Sequence, residues 1–139
     1  MPDLQTRLQL IRDRITAAAN RCGRDPGSVE LLAVSKTFPV EAIQAAVDAG
    51  QLLFGENKVQ EVLAKAPQLP AKLQWHLIGH LQSNKVRKIL PLVKAIHSLG
   101  SLDLARDVDR IAAELGWFPK VYLEVNLAAE SSKHGFTAA

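Results

Sequence analysis

The residue best suited to do chemistry in this chain is Lys36. It closes the apolar run Leu31-Leu32-Ala33-Val34 and is followed by Thr37, Phe38 and Pro39. An amine at the end of a buried strand lies in apolar surroundings, which disfavour the charged form and lower a lysine pKa. A neutral amine is a nucleophile, and its natural partner is a carbonyl. On position alone the plainer reading is that the strand has ended and Lys36 simply reaches water.

Other polar residues recur where apolar runs stop. Gly55-Glu56-Asn57 follows Leu52-Leu53-Phe54, and Gly79-His80-Leu81-Gln82-Ser83-Asn84-Lys85 follows Trp75 to Ile78. His97-Ser98 and Asn126 end two further runs. Strand ends are polar in every protein, so this gathering does not by itself define a site. His76 and His80 invite a metal reading, but residues four apart on a strand are separated by ~13 Å, too far to share one ion. No glutamate follows His76 to make a zinc-protease motif. His76 reads as a half-buried strand residue with a hydrogen-bond partner, and His80 as a loop residue. Glu56 and Glu61 are too isolated to assign as an acid–base pair. Ser35, Ser83 and Ser98 lack the glycine-flanked elbow of a hydrolase nucleophile. Lys85, Arg87, Lys88 and Lys94 form a basic cluster that reads as a solvated helix face.

The composition narrows the function classes. The 139 residues are 47% hydrophobic and 22% charged, enough for one core. A net charge of +3 suits small anionic ligands and is too weak to argue for nucleic acid, and 5% aromatics offer no base-stacking platform. The single cysteine, Cys22, cannot form an internal disulfide; it reads as a small buried side chain, and a reducing cytoplasm is the expected compartment. No apolar stretch approaches a membrane span, and Met1-Pro2-Asp3-Leu4-Gln5 lacks the layout of a signal peptide.

The elements that must position these residues alternate. Leu4, Leu8, Ile11 and Ile15 recur at helical spacing behind Asp3 as a cap, predicting a first helix to about Cys22 that stops at Gly23. Strands are expected at 29–34, 52–54, 75–78, 93–97 and 121–125. Helices are expected from Pro39, over 57–66, over 83–90 and from Ser101 to Leu115-Gly116, with residues 128–139 as a tail. Such alternation, with near-continuous apolar strands, argues for a parallel sheet with helices outside it. Five strands fit either a doubly wound sheet or about five of the eight units of a TIM-type (β/α) barrel. The Gly-rich phosphate turn usual in the former is absent after the first strand.

Five segments, taken in order, resemble one family closely: Leu31 to Thr37, Phe54-Gly55-Glu56-Asn57, Trp75 to Gly79, Leu81 to Lys85, and Ser132-Lys133-His134-Gly135. It is the pyridoxal phosphate homeostasis protein family, also called the YggS/PROSC family, and the similarity runs from the first helix to about Phe136. The resemblance implies a TIM-like α/β barrel similar to the N-terminal domain of alanine racemase, with residues 1–139 forming the N-terminal portion of a single domain. It implies pyridoxal phosphate as cofactor, held as an internal aldimine on Lys36, with Asn57, His76 and Asn126 as the other cofactor-binding residues. Lys133 matches a second family lysine in the fifth loop, connected with cofactor exchange. Members are regarded as carriers or regulators of the cofactor pool without established catalytic turnover.

Two departures qualify the resemblance. Family members are longer, and their last strands carry the Ser- and Gly-rich segment and the Arg-Ile-Gly turn that hold the cofactor phosphate; binding by this chain is expected to be weakened without them. His134 stands where many relatives have serine. A barrel removes sheet edges by closing, so five strands alone are expected to leave open edges through which the chain associates with itself. Nucleic acid and membranes are not expected partners. Two alternatives stand beside this reading. One is a racemase-like enzyme acting on amino acids, for which a second acid–base group would be needed and Tyr122, the sole tyrosine, is poorly placed. The other is a cofactor-free scaffold.

Overall fold

The computed structural model describes residues 1–139. The chain runs α1 (Leu4–Arg21), β1 (Ala33–Val34), α2 (Val40–Asp48), β2 (Leu53–Glu56), α3 (Val59–Lys65), β3 (Gln74–Leu77) and α4 (Val86–Ile89). It continues through β4 (Ala95–Leu99), α5 (Leu102–Leu115), β5 (Lys120–Leu123), β6 (Val125–Asn126) and β7 (Phe136–Thr137). Strands β1 to β5 form one all-parallel sheet in chain order, each pairing with the next. This is the expected α/β architecture.

One face of the sheet carries the core. Phe54, Trp75, Leu77 and Ile96 project from the strands and meet Ile43 and Val47 of α2, Val59 and Val62 of α3, and Val86 and Ile89 of α4. Leu104, Val108 and Ile111 of α5 close the same cluster. Their i, i+4 and i+7 spacing gives α5 a single apolar stripe, and Ser101 caps it by accepting the Leu104 N–H. Gly116, with φ +66°, ends it in the left-handed conformation that glycine adopts without strain.

The opposite face has no helical layer. Val34 is 49% exposed, and Lys120 and Tyr122 of β5, on the same side, are exposed too. Parallel sheets are normally covered on both faces, so an incomplete TIM-type barrel explains this one-sided burial better than a doubly wound sheet does.

Several sequence expectations shift in detail. The first strand was expected over 29–34 but is paired only at Ala33 and Val34, because β1 is an edge with a single neighbour. Buried Gln51 bridges the gap instead: its Nε2 donates to Leu31 and Leu53 carbonyls at 2.7 Å each. Arg12 of α1 donates to the Gln51 Oε1 and to the Gly50 carbonyl, which ties the first helix to this edge. The helix expected over 83–90 is a 3-10 turn at Ser83–Lys85, a single α turn, and a second 3-10 turn at Leu90–Leu92 where Pro91 breaks the ladder. Of Leu4, Leu8, Ile11 and Ile15 in the first helix only Leu8 is buried, and Cys22, read as buried, is exposed at the C-cap. The tail is ordered through β7, which pairs in parallel with β6.

Candidate functional site

Lys36 lies two residues beyond Val34, in the turn between β1 and α2. Ser35 accepts the Phe38 N–H at 3.1 Å across this turn, and Ser35 N–H donates to the Gly55 carbonyl at 3.0 Å, extending the β1–β2 ladder up to Lys36. Lys36 is therefore fixed at the C-terminal edge of the sheet, where chemistry gathers in parallel barrels. Its surroundings differ from expectation. The side chain is exposed rather than set among apolar groups, because the edge strand has only β2 beside it. The Lys36 ammonium has no hydrogen-bond or ion-pair partner.

The register explains which residues share its face. Val34, Gly55, His76 and Ala95 are laterally paired across four strands. A Cβ on Gly55 would meet the Leu32 side chain at 2.5 Å and that of Ile78 at 3.2 Å, so Leu32, Gly55 and Ile78 face the same side. Strand alternation puts positions 36, 57, 78, 97 and 122 in the next row of that face. Asn57 is set there by a close backbone approach: a Cβ on Gly79 would fall 2.3 Å from the Asn57 carbonyl oxygen. Asn57 is half-buried and, with His80, Gln82 and Lys85, lines a cleft of about 260 Å³ between the β2 and β3 loops.

His76 is half-buried and does have the expected partner: its Nδ1 lies 2.9 Å from Nε2 of His97. One ring must donate and the other accept, so the contact requires at least one neutral imidazole. Burial, followed by the neighbouring His97, holds the His76 pKa below the ordinary histidine value, and burial does the same for His97. The His97 ring also packs on Tyr122, with centroids 4.9 Å apart. His80 is a loop residue stacked on His134 at 3.7 Å. Of the basic residues Lys85, Arg87, Lys88 and Lys94, Arg87 pairs with Glu114 of α5.

Asn126 is not at the end of β5. That strand stops at Leu123 after a register shift against β4, and Asn126 lies in β6, paired with Thr137. Its amide is spent on its own loop, donating to the Glu130 carbonyl at 2.8 Å and accepting the Glu130 N–H at 3.3 Å. It thereby shapes the loop that carries Lys133.

The sequence reading missed a buried ionic cluster directly beneath the Lys36 turn. Lys65, 8% exposed at the end of α3, donates to Glu56 Oε1 and Glu61 Oε2, each at 2.7 Å, and to the Ser35 carbonyl at 3.0 Å. Ser35 Oγ donates to the same Glu56 oxygen at 2.7 Å, and Glu61 Oε2 accepts the Thr37 N–H at 3.0 Å. Glu56 is fully buried, and its other carboxylate oxygen has no partner. The one signal in the sequence was the spacing: Glu61 and Lys65 stand i, i+4 on one helix.

A partial β/α barrel with a free lysine on the first strand's turn is the class of structure these features define. Among solved structures, alanine racemase of Clostridium difficile 630 is similar with a TM-score of 0.64, over 78% of this chain and 28% of that one; at 15% identity the likeness is one of fold. The chain is more particularly similar to the pyridoxal phosphate homeostasis proteins. The Escherichia coli K12 protein of that name is 43% identical over 144 aligned residues, covering all of this chain and 61% of the relative. PipY of Synechococcus elongatus, solved with pyridoxal phosphate bound, is 46% identical with a TM-score of 0.72, over 88% of this chain and 57% of that one. This chain thus spans about three fifths of the length of the curated relatives it matches. Comparison with protein-family profiles returned no match.

Proposed function

We propose that this chain binds pyridoxal phosphate through Lys36 and serves intracellular cofactor homeostasis as a carrier. The observation that carries the reading is the unpaired, exposed Lys36 amine held at the C-terminal edge of a parallel sheet, in a relative of proteins named for that role. The cofactor, when bound, supplies an aldehyde that reacts with an amine. The donor set fits that aldehyde end: Lys36 offers an amine spent on no other partner, and Asn57 stands in the same row of that face with its loop fixed on Gly79. His76 contributes through His97, one layer deeper, as a neutral imidazole that shapes the floor. Asn126 acts through its loop, because both ends of its amide are already used.

Carriage rather than turnover is the reading that the relatives' names support. The cytoplasm, where the free thiol of Cys22 stays reduced, is the compartment we assign. The test is an absorbance titration of the chain with pyridoxal phosphate, followed by borohydride treatment and peptide mapping. The expected result is a stable label on Lys36 that is lost in Lys36→Ala. Labelling spread over surface lysines, unchanged in that variant, overturns the assignment.

A further inference from the structure

We propose that Lys65 is a positioning residue that holds the Lys36 turn in its reactive geometry from below. The inference deepens the reading of Lys36 as the cofactor amine and rests on it.

Both residues flanking Lys36 are tied to the same cluster. On one side, the Ser35 carbonyl accepts from Lys65 Nζ and the Ser35 hydroxyl donates to Glu56. On the other, the Thr37 N–H donates to Glu61, whose carboxylate is itself gripped by Lys65. Lys65 has three N–H donors, and all three are used, on Ser35, Glu56 and Glu61. The Lys36 amine, between them, takes no part in the cluster.

The clamp also explains an unfavourable backbone. Thr37 has φ +67°, in the left-handed region, which a β-branched residue adopts at a cost. In that conformation its N–H points to Glu61 rather than to the turn. A strained residue persists only where its surroundings over-determine it. Here the surroundings are a charge-assisted hydrogen bond and the ammonium behind it.

Lys65 is not a second nucleophile. Burial works against its charge, but the hydrogen bonds to Glu56 and Glu61 outweigh burial and raise its pKa above the ordinary lysine value. It stays an ammonium, with every proton committed. The two lysines divide the work: one is locked and charged, the other free.

The test separates position from reactivity. In Lys65→Met, hydrogen exchange at the Thr37 and Phe38 amides is expected to quicken about tenfold, the loss of one charge-assisted hydrogen bond, while amides of β3 and β4 keep their protection. Acetylation of Lys36 by acetic anhydride, which needs only an accessible amine, is expected to stay within about twofold of wild type. Borohydride-trapped pyridoxal phosphate on Lys36 at sub-saturating cofactor is expected to fall about tenfold, because the amine is no longer aimed.

Should Lys65→Met fail to fold, Glu61→Ala carries the test. The Glu61 side chain is 22% exposed and alanine suits α3, so the helix survives while Thr37 loses its acceptor. Its Thr37 amide is expected to exchange faster, and Glu61→Gln, which keeps an acceptor oxygen, to restore wild-type exchange there. Unchanged Thr37 exchange in Lys65→Met, or in Glu61→Ala where Lys65→Met does not fold, overturns the clamp, and so does a uniform loss of protection across the sheet. Wild-type protein that takes no cofactor label on Lys36 overturns the cofactor reading instead, and the amide exchange still decides the clamp.

Discussion

At the scale of single residues, the chemistry divides between one lysine that could be read and another that could not. Lys36 stood out because an amine after Leu31-Leu32-Ala33-Val34 breaks an apolar run. Lys65 did not, because a lysine in the last turn of a helix reads as solvated; only the fold turns it inward onto Glu56 and Ser35. The histidines behave likewise. His76 was legible as half-buried with a partner, but that partner, His97, lies on a different strand and is found only once β3 and β4 pair. Both are held below the ordinary histidine pKa, so the unfolded chain binds more protons than the fold just below about pH 6.5. Stability therefore rises with pH through the window that runs up to that value and is lost as pH falls below it. Glu30 and Lys120 also face His76 and act in opposite directions. Urea midpoints at pH 5 and pH 7.5 should differ in this sense, and His97→Phe, which keeps the contact with Tyr122, should shrink the difference. An unchanged difference would assign the pH dependence to other groups. Gly79→Ala is the sharpest packing test: its new Cβ meets the Asn57 backbone, not a movable side chain. It should cost about 3 kcal/mol in urea denaturation and displace the Asn57 loop.

At the scale of elements, alternation and caps were legible and boundaries were not. Five strands and the helices between them follow from apolar runs punctuated by Gly and Pro. The ends of α5 follow from Ser101 and Gly116. The ends of β1 do not, since strand length there depends on how many neighbours the edge has. The fifth strand was read through to Val125, but Glu124 breaks the run and the following pair joins β7 instead. Nothing local announces that pairing, whose partner lies eleven residues on. The cap of α5 is testable by itself. Ser101 Oγ accepts the Leu104 N–H at 3.2 Å, and α5 supplies four core residues. Ser101→Ala should lower unfolding free energy by about 1 kcal/mol with the urea m-value unchanged, and Ser101→Asp should restore it. A loss in both variants would mean that the hydroxyl acts through packing rather than as a cap.

At the scale of the whole molecule, the balance between covered and uncovered surface decides behaviour. The helical face buries a continuous core, but Val121, Tyr122 and Leu123 on β5 are 40%, 46% and 67% exposed, and Phe118 and Leu127 beside them are more exposed still. β5 pairs on one side only, so its other edge presents free backbone donors and acceptors beside apolar side chains. An edge of this kind templates pairing, and contiguous apolar exposure adds a driving force that is not directional. Blocking devices are sparse: Lys120 is the only charge within the strand, and it stands at its start. The 139-residue chain should therefore sediment above monomer mass, with a coefficient that climbs with concentration. Tyr122→Lys combined with Leu123→Lys should return it to a monomer, because two charges on adjacent positions guard both faces of the edge. Salt should leave the wild-type association intact, since apolar contact and backbone pairing, not surface ion pairs, hold it. A wild-type chain that stays monomeric at all concentrations would overturn the reading of this edge as an association surface.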